Sequence, residues 1–581
     1  MRNSDHNIDH TVDHHAEHHV DHHADYTADP KAANKARPGL TLYAALFLAI
    51  CLIPLVGMAW AFTTSTSGST QSASPPGITQ DNGTVNLYYV PQWGTYFEDH
   101  FAYRNLALDI DAHLKAGLLK TSPTNQVIIG SNGWLYYGGE LSDYQALAPL
   151  TPREASNIAF NLTLMQGYAK AHGSQLIFTI APNKSTLYPA YMPYYLPKAQ
   201  NNSIDLLRSY CNDKGVAYLD LFSLFNTQED ELYCKTDSHW NTVGALLVTN
   251  ALLQSCGMEA APAQRGDQDV PFYGDIEEML YPVTAQHEPQ EALSTGDWSY
   301  VEGTQATAAG AGAGVLGAGS QAAAAGTQPS VEDAFIQTSG GVGATGTLLM
   351  FRDSFANNLI PLMAPSFARA YFSKYIPYDL TQIDVLHPDY VIIERAQRHV
   401  DLLAQDPALM PAPTVKLTAD QTVASSTSIQ VSQDGDYQVI QGWVDGSCID
   451  GEDNIFIQVD GPEGSNCYVP FHISGDVTAV TDQGTQTSDQ SEDTTSADAT
   501  AADTQGAGAS AGDSTQGGTG SAAATNQDSN TSAGSTSDYG YKAFLPSALF
   551  NDGAHTITIL VSKADSGTVL AVASTVIQPQ G

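Results

Sequence analysis

From Gln126 to Val400 the chain repeats one grammar. A short apolar run ends in a polar turn, and a segment of helical period follows. "QLIFTIAPNK" (Gln175 to Lys184) reads as a buried strand running into a loop, and "SIDLLRSYCNDKG" as a helix. "VAYLDLFSLF" is strand and turn, and "NTVGALLVTNALLQSCG" is helix. "TLLMFRDSF" (Thr347 to Phe355) is strand and turn, followed by the helix-like "ANNLIPLMAPSFARA". "PDYVIIERAQRHV" is strand into helix. Strands bounded by helices are covered on both faces, so this alternation predicts an α/β sandwich with a mainly parallel sheet. Upstream, "QVIIGSNGWLYYGG" reads as strand, turn at Asn132-Gly133, and strand, and "SNIAFNLTLMQGYAKAHG" as an amphipathic helix ended by Gly173.

The pattern changes near Pro411. "DYQVIQGWVDG", "NIFIQVDGP", "CYVPFHIS", "HTITILVSKA" and "TVLAVASTVIQ" alternate apolar and polar residues between turn signals. A small all-β, sandwich-like domain is expected over 411–581. Two tracts interrupt the pattern: Thr304 to Gln328 is Ala/Gly-rich, and Asp476 to Asp538 is rich in Asp, Ser, Thr, Gln and Gly. Neither has the apolar side chains that offset ordering entropy, so both are expected to be disordered surface insertions. Cys448 and Cys467 flank one strand pattern and are candidates to pair; no cysteine spacing suits zinc.

The N-terminal part is of another kind. Gly39 to Phe62 carries no charge over 24 residues, about enough helix to cross a ~30 Å hydrocarbon core. Lys31, Lys35 and Arg37 precede it, and no Lys or Arg follows before Arg104. The positive-inside rule predicts a single-pass anchor with residues 1–38 cytoplasmic and the rest extracytoplasmic. A cleaved signal peptide is the alternative, with "AWA" at Ala59 to Ala61 as its cleavage site. The leader repeats DHNI, DHTV, DHHA, EHHV, DHHA; its imidazoles suit either a disordered polar tail or a transition-metal chelate. Residues 63–86 read as a spacer, and 87–410 as the catalytic domain. The formal charge of -39 excludes a phosphate-binding surface as the main business, so no nucleic-acid partner is expected.

One stretch suggests chemistry. In "KTDSHWN" (Lys235 to Asn241), His239 can be a general base, and Asp237 can orient it. The candidate nucleophile is Ser354 in "LLMFRDSFANN", at the end of an apolar strand where an open α/β sheet binds its ligands. A backbone N–H at such a turn suits an oxyanion site. On position alone, Ser354 serves equally well as a helix cap.

Five segments stand in the order and style of one family: "GSNGWLYY", "APNKSTLYPAYMP", "TDSHWNTVGA", "FYGDIEEML" and "FRDSFANNLIPLMAPSF". The chain from about Tyr96 to Val400 resembles the DHHW proteins. These are SGNH-hydrolase-like proteins similar to the AlgJ and AlgX proteins of alginate O-acetylation. The resemblance implies a three-layer α/β/α domain with an Asp237–His239–Ser354 triad. Ser238 stands where the family name has His, which touches no triad member. By the same resemblance, Asn183, Lys184, Trp240, Arg352 and Asn357 are candidates to contact substrate or an oxyanion, with a purely structural role as the alternative. Trp134, Tyr136, Trp443 and Tyr468 are expected in the core, with stacking on sugar rings as the alternative. The implied activity is O-acetylation of a secreted or cell-surface polysaccharide through an acetyl-serine. No cofactor or metal is implied, and a membrane-bound O-acyltransferase would be the partner supplying acetyl groups. The rivals are a polysaccharide acetylesterase and a non-catalytic glycan-binding or assembly protein.

Overall fold

A computed structural model describes residues 38–63, 76–79, 84–86, 88–100, 103–200, 203–301, 330–476 and 536–578. The His-rich leader up to Arg37, most of the spacer, the Ala/Gly-rich tract and residues 477–535 of the second tract lie outside these residues; Asp476 and Thr536–Asp538, expected within that tract, belong to strands. Pro38–Thr63 forms one helix of 26 residues, and Tyr89–His100 a second of 12. Side chains of the first helix are described only over 41–53, and among the described residues no helix is long and apolar enough to cross a membrane.

The described residues from Asn105 onward form one compact unit. Its centre is a seven-stranded sheet: β1 (Gln175–Ala181), β2 (Tyr218–Leu219), β3 (Trp298–Tyr300), β4 (Phe335–Gly340), β5 (Thr347–Phe351), β6 (Arg369–Ser373) and β7 (Tyr390–Ala396). The order is β2-β1-β7-β5-β6-β4-β3. The five strands from β2 to β6 run parallel; β4 and β3 close one edge antiparallel. The sheet is therefore mainly parallel, as the alternation predicts, while the antiparallel edge was not legible.

The pleat explains the three layers. Leu348 and Met350 of β5 and Ile392 of β7 point into one core, covered by the helix Thr242–Ser255. Leu349, Phe351, Val391 and Ile393 point into the other, under the helices Pro152–Ala171 and Ser203–Lys214. Successive side chains leave a strand on opposite faces, so an unbroken apolar strand needs cover on both. The helix Pro152–Ala171 starts with a capping box between Thr151 and Glu154 and has Pro152 in its first turn. Further upstream, Val127–Ile129 pairs with Leu135–Tyr137 through a turn whose Asn132 and Gly133 both have positive φ, 57° and 80°. That is the expected Asn-Gly hairpin.

The C-terminal region has a six-stranded and a four-stranded sheet, mostly antiparallel. Ile440, Tyr541 and Leu545 of one share a core with Ile455, Ile457, Ile559 and Val561 of the other, which makes a sandwich. Trp443 and Tyr468 are buried there, as expected, and Trp134 and Tyr136 are buried in the α/β part. Cys448 and Cys467, candidates to pair, are free thiols in this structure, as are the other cysteines.

The sandwich is not strung loosely after the α/β part. Asn161, on the helix Pro152–Ala171, donates to the His472 carbonyl at 2.8 Å and accepts from the His472 N–H at 2.9 Å. Asn157 donates to Ser474 Oγ and the Asp538 carbonyl, and Arg153 to the carbonyls of Gly451 and Asp453. Phe160 stacks on the His472 ring with centroids 4.2 Å apart. The helix is thus buried on two sides, one apolar and one polar.

Candidate active site

The carboxyl ends of β1, β7 and β5 lie side by side, with Ala181 opposite Ala396 and Ile393 opposite Phe351. Each delivers residues to one place. After β5 the chain turns through Arg352 and Asp353 into a short 3-10 helix, Ser354–Asn358. Asp353 caps that helix: Oδ1 accepts from the Phe355 N–H at 3.0 Å, and Oδ2 from the Ala396 N–H of β7 at 2.6 Å. The cap is Asp353, so the hydroxyl of Ser354 is used elsewhere. Its Oγ lies 2.9 Å from His239 Nε2.

His239 is held from its other side. Asp237 Oδ1 accepts from the His239 backbone N–H and faces Nδ1, both at 2.8 Å. A carboxylate two residues before the imidazole reaches both groups in one turn, which is why Asp-x-His works at this spacing. The segment is pinned from behind by Lys184. Its fully buried ammonium donates to the carbonyls of Cys234, Lys235 and Asp237, the last at 2.5 Å. Beyond the turn, Asn241 caps the helix Thr242–Ser255 by accepting from the Gly244 N–H. The His239 ring meets Phe355 edge-on at 4.7 Å.

A second acid beside the imidazole completes the cluster, and sequence reasoning missed it. Asp275 opens a six-residue helix, Asp275–Leu280, set in the connection of a two-stranded hairpin, Gln264–Tyr273 with His287–Ser294. Its N–H donates to Asp237 Oδ2 at 2.9 Å. Its carboxylate accepts from the Ser238 N–H at 2.7 Å and from Ser238 Oγ at 2.5 Å, and lies 3.7 Å from His239 Nδ1. Gly274 permits the approach: a Cβ there would lie 2.2 Å from the Thr236 carbonyl oxygen. Ile276 and Leu280 seat this helix against Val127 and Leu135. The available signal was an Asp directly after Gly in "FYGDIEEML".

The electrostatics follow from this packing. Burial by itself would lower the His239 imidazole, but the Asp237 charge and hydrogen bond, then the Asp275 charge, raise it to about 9. Arg398 opposes them. Burial would raise Asp237; the imidazole and the two backbone N–H donors outweigh it and bring the carboxyl down to about 2. Asp275 is raised to about 6, first by burial and then by the Asp237 charge. Asp237, His239 and Asp275 have ligand-type atoms within 4.8 Å of one another. Those atoms are already hydrogen-bonded among themselves and to Ser238, so the arrangement is that of an oriented imidazole.

The remaining candidates are placed less directly. Trp240 is fully buried, its ring edge-on to Phe355 at 4.9 Å. Asn183 is buried; its N–H donates to Gln397 and its Nδ2 to Asp143. Arg352 is buried and donates to the carbonyls of Val331 and Asp333 and to Asn357 Oδ1, while Asn357 donates to Glu332. Arg352 and Asn357 thus tie the nucleophile's turn to the chain that follows the Ala/Gly tract. Lys184, Trp240 and Arg352 reach the triad through the backbone and ring they support. Glu394 of β7 is fully buried and held well above the carboxylate range, first by burial and then by the Asp353 charge; it accepts from the Asp353 N–H.

The site lies at the carboxyl edge of the sheet in a three-layer sandwich, and residues 127–327 match the family described as "SGNH hydrolase-like domain, acetyltransferase AlgX". The matched segment includes Asp237, His239 and Asp275 and stops short of Ser354. The chain is similar to the "Probable alginate O-acetylase AlgJ" of Pseudomonas syringae pv. tomato, 27% identical over 252 residues, 41% of this chain and 60% of that protein. It is also similar to the protein of that name from Azotobacter vinelandii, 25% identical over 163 residues, 27% of this chain and 40% of the other. The chain therefore spans less than two thirds of the length of these relatives. Solved structures that resemble it include the O-acetyltransferase domain of Pseudomonas putida AlgJ, with 14% identity, 48% of this chain, 92% of that one and a TM-score of 0.32. Another is a DHHW family protein from Eubacterium siraeum, with 13% identity, 49% of this chain, 97% of that one and a TM-score of 0.33.

Proposed function

We propose that this protein is an O-acetyltransferase that modifies a polysaccharide through an acetyl-serine at Ser354. The observation that carries the reading is the unbroken relay from Asp237 through His239 to Ser354, at 2.8 and 2.9 Å. His239 Nε2 takes the proton of Ser354 Oγ as Oγ attacks the carbonyl carbon of an acetyl donor. The tetrahedral oxyanion is met by backbone N–H groups at the Ser354 turn. It collapses as the donor's leaving group departs with the proton from His239. A sugar hydroxyl then gives its proton to His239 Nε2 and attacks the acetyl carbonyl. The sugar ester forms, the bond to Oγ breaks, and His239 returns the proton to Ser354.

The similarity to AlgJ proteins, and the family match over residues 127–327, support acetyl transfer and a polysaccharide acceptor. In this reading Gly39 to Phe62 anchors the chain, with residues 63–581 outside the cytoplasm. A membrane-bound O-acyltransferase supplies acetyl groups. The β sandwich, fixed to the helix Pro152–Ala171, positions the glycan. The test gives the full-length chain an acetyl donor with and without an acceptor oligosaccharide. Acetylated oligosaccharide, absent with Ser354→Ala, supports the proposal. Acetate release alone, unchanged by acceptor, identifies an esterase instead. Glycan binding with neither product identifies a scaffold.

A further inference from the structure

We propose that Asp275 is a second carboxylate of the relay, a positioning residue that fixes the Asp237–Ser238–His239 turn and adds its charge to the imidazole's surroundings. The inference rests on the proposed serine mechanism and deepens it. Three contacts from one residue converge on one turn. The Asp275 N–H fixes Asp237 Oδ2, leaving Oδ1 for the imidazole. The Asp275 carboxylate takes the Ser238 N–H and hydroxyl, which locks the residue between acid and base. Ser238 Oγ in turn lies 3.2 Å from His239 Nδ1. The imidazole thus has one carboxylate at 2.8 Å and a second at 3.7 Å on the same nitrogen.

The second charge has a chemical consequence. When Ser354 attacks, His239 becomes imidazolium in a site largely closed to water, and a fixed anion stabilises that charge most in a low-dielectric setting. It also makes the base harder to deprotonate beforehand. The groups that face this imidazole are Asp237 and Asp275, which favour the proton, and Arg398, which disfavours it. Lys184 faces the same two carboxylates from behind. A residue that only started the helix Asp275–Leu280 would affect folding and leave the base untouched. The two roles are therefore separable by the pH profile.

The test measures kcat and KM for a small acetyl ester across pH with the full-length chain, its Asp275→Asn, Asp275→Ala and Ser238→Ala variants, and Ser354→Ala as the blank. Asp275→Asn keeps an acceptor for Ser238 and removes the charge. Its alkaline plateau in kcat should fall roughly tenfold with KM nearly unchanged. Its acid limb should move to lower pH, because one of the two charges holding the proton on His239 is gone. Asp275→Ala should lose roughly a hundredfold, since the turn also loses its anchor. Ser238→Ala, which keeps Asp275, should show a smaller loss and a nearly parental limb. A parental plateau and limb in Asp275→Asn, beside a lowered melting temperature, overturns the inference and leaves Asp275 a structural residue. Absence of Ser354-dependent turnover in the unaltered chain overturns the serine mechanism and this inference with it.

Discussion

Ser354 Oγ and His239 Nε2 are 2.9 Å apart across 115 residues of sequence. Two independent devices bring them together. Asp353 caps the turn after β5 and is tied to the end of β7, and Lys184, from the end of β1, grips the carbonyls around Asp237. Nucleophile and base are thus both referenced to the same three central strands.

The pH dependence follows from the base. His239 accepts a proton only when neutral, and its surroundings hold the pKa near 9. The kcat/KM for a small acetyl ester should therefore rise about tenfold per pH unit through neutral pH and level off above that value. Asp237→Asn removes the largest charge favouring the proton, so its limb should move to lower pH while the plateau falls. A stopped or continuous ester assay from pH 6 upward, run at about constant ionic strength, reads both effects.

Lys184→Met keeps much of the side-chain volume and removes the ammonium. Three carbonyls then lose a shared buried donor. Because an unsatisfied buried group costs ~1–3 kcal/mol, the variant should melt several degrees lower. It should also lose kcat, since the turn carrying His239 is released. Thermal unfolding measured beside ester kinetics checks the pair of effects.

Gly274→Ala is a small change with a specific target. The φ of Gly274, -80°, is one that any residue adopts, so the constraint is space. The added Cβ would meet the Thr236 carbonyl at 2.2 Å and push Asp275 away from Asp237 and Ser238. The expected result is a loss of kcat of roughly tenfold or more with a modest fall in melting temperature. Ala at Gly133, where nothing lies within 4 Å but φ is positive, should strain the hairpin and spare kcat.

The β sandwich should stabilise the α/β part. Asn161→Ala leaves the buried N–H and carbonyl of His472 without their partner. A stability loss of at least ~2 kcal/mol is expected. Kinetic constants measured well below the melting transition should be unchanged, because the helix carrying Asn161 packs into the core on the other face of the sheet from the one that holds Trp240 and Phe355. Denaturant titration and ester kinetics together test this.

Much of this was legible in the sequence because it is local. The strand–helix alternation marks β1, β5 and β7, whose unbroken apolar runs demand two covered faces. Asn132-Gly133 encodes its own turn. Asp237 and His239 stand two residues apart, and Ser354 follows a strand end. What was not legible depends on contacts far along the chain. Asp275 looks like an ordinary residue at a helix start until the fold sets it against a loop 38 residues earlier. Strand β3 is three residues long, β4 carries Gln337, Thr338 and Ser339 in place of an apolar run, and the two flank the Ala/Gly tract, so no apolar run announced an antiparallel edge. Asn157 and Asn161 read as the polar face of an amphipathic helix; the fold covers that face with the sandwich. The alternative of Ser354 as a cap fell only when Asp353 was found to do the capping.

The most direct measurement of the central claim is covalent labelling of Ser354 in the full-length chain by a serine-directed sulfonyl fluoride, followed by peptide mass spectrometry, alongside acetyl-ester turnover. The parent should be labelled at Ser354, and His239→Ala far more slowly. Ser354→Ala and His239→Ala should each lose nearly all turnover, and the double variant should lose little more, because members of one catalytic unit are strongly non-additive. Full turnover in folded Ser354→Ala, or label on another residue with Ser354 untouched, would contradict the assignment of the nucleophile.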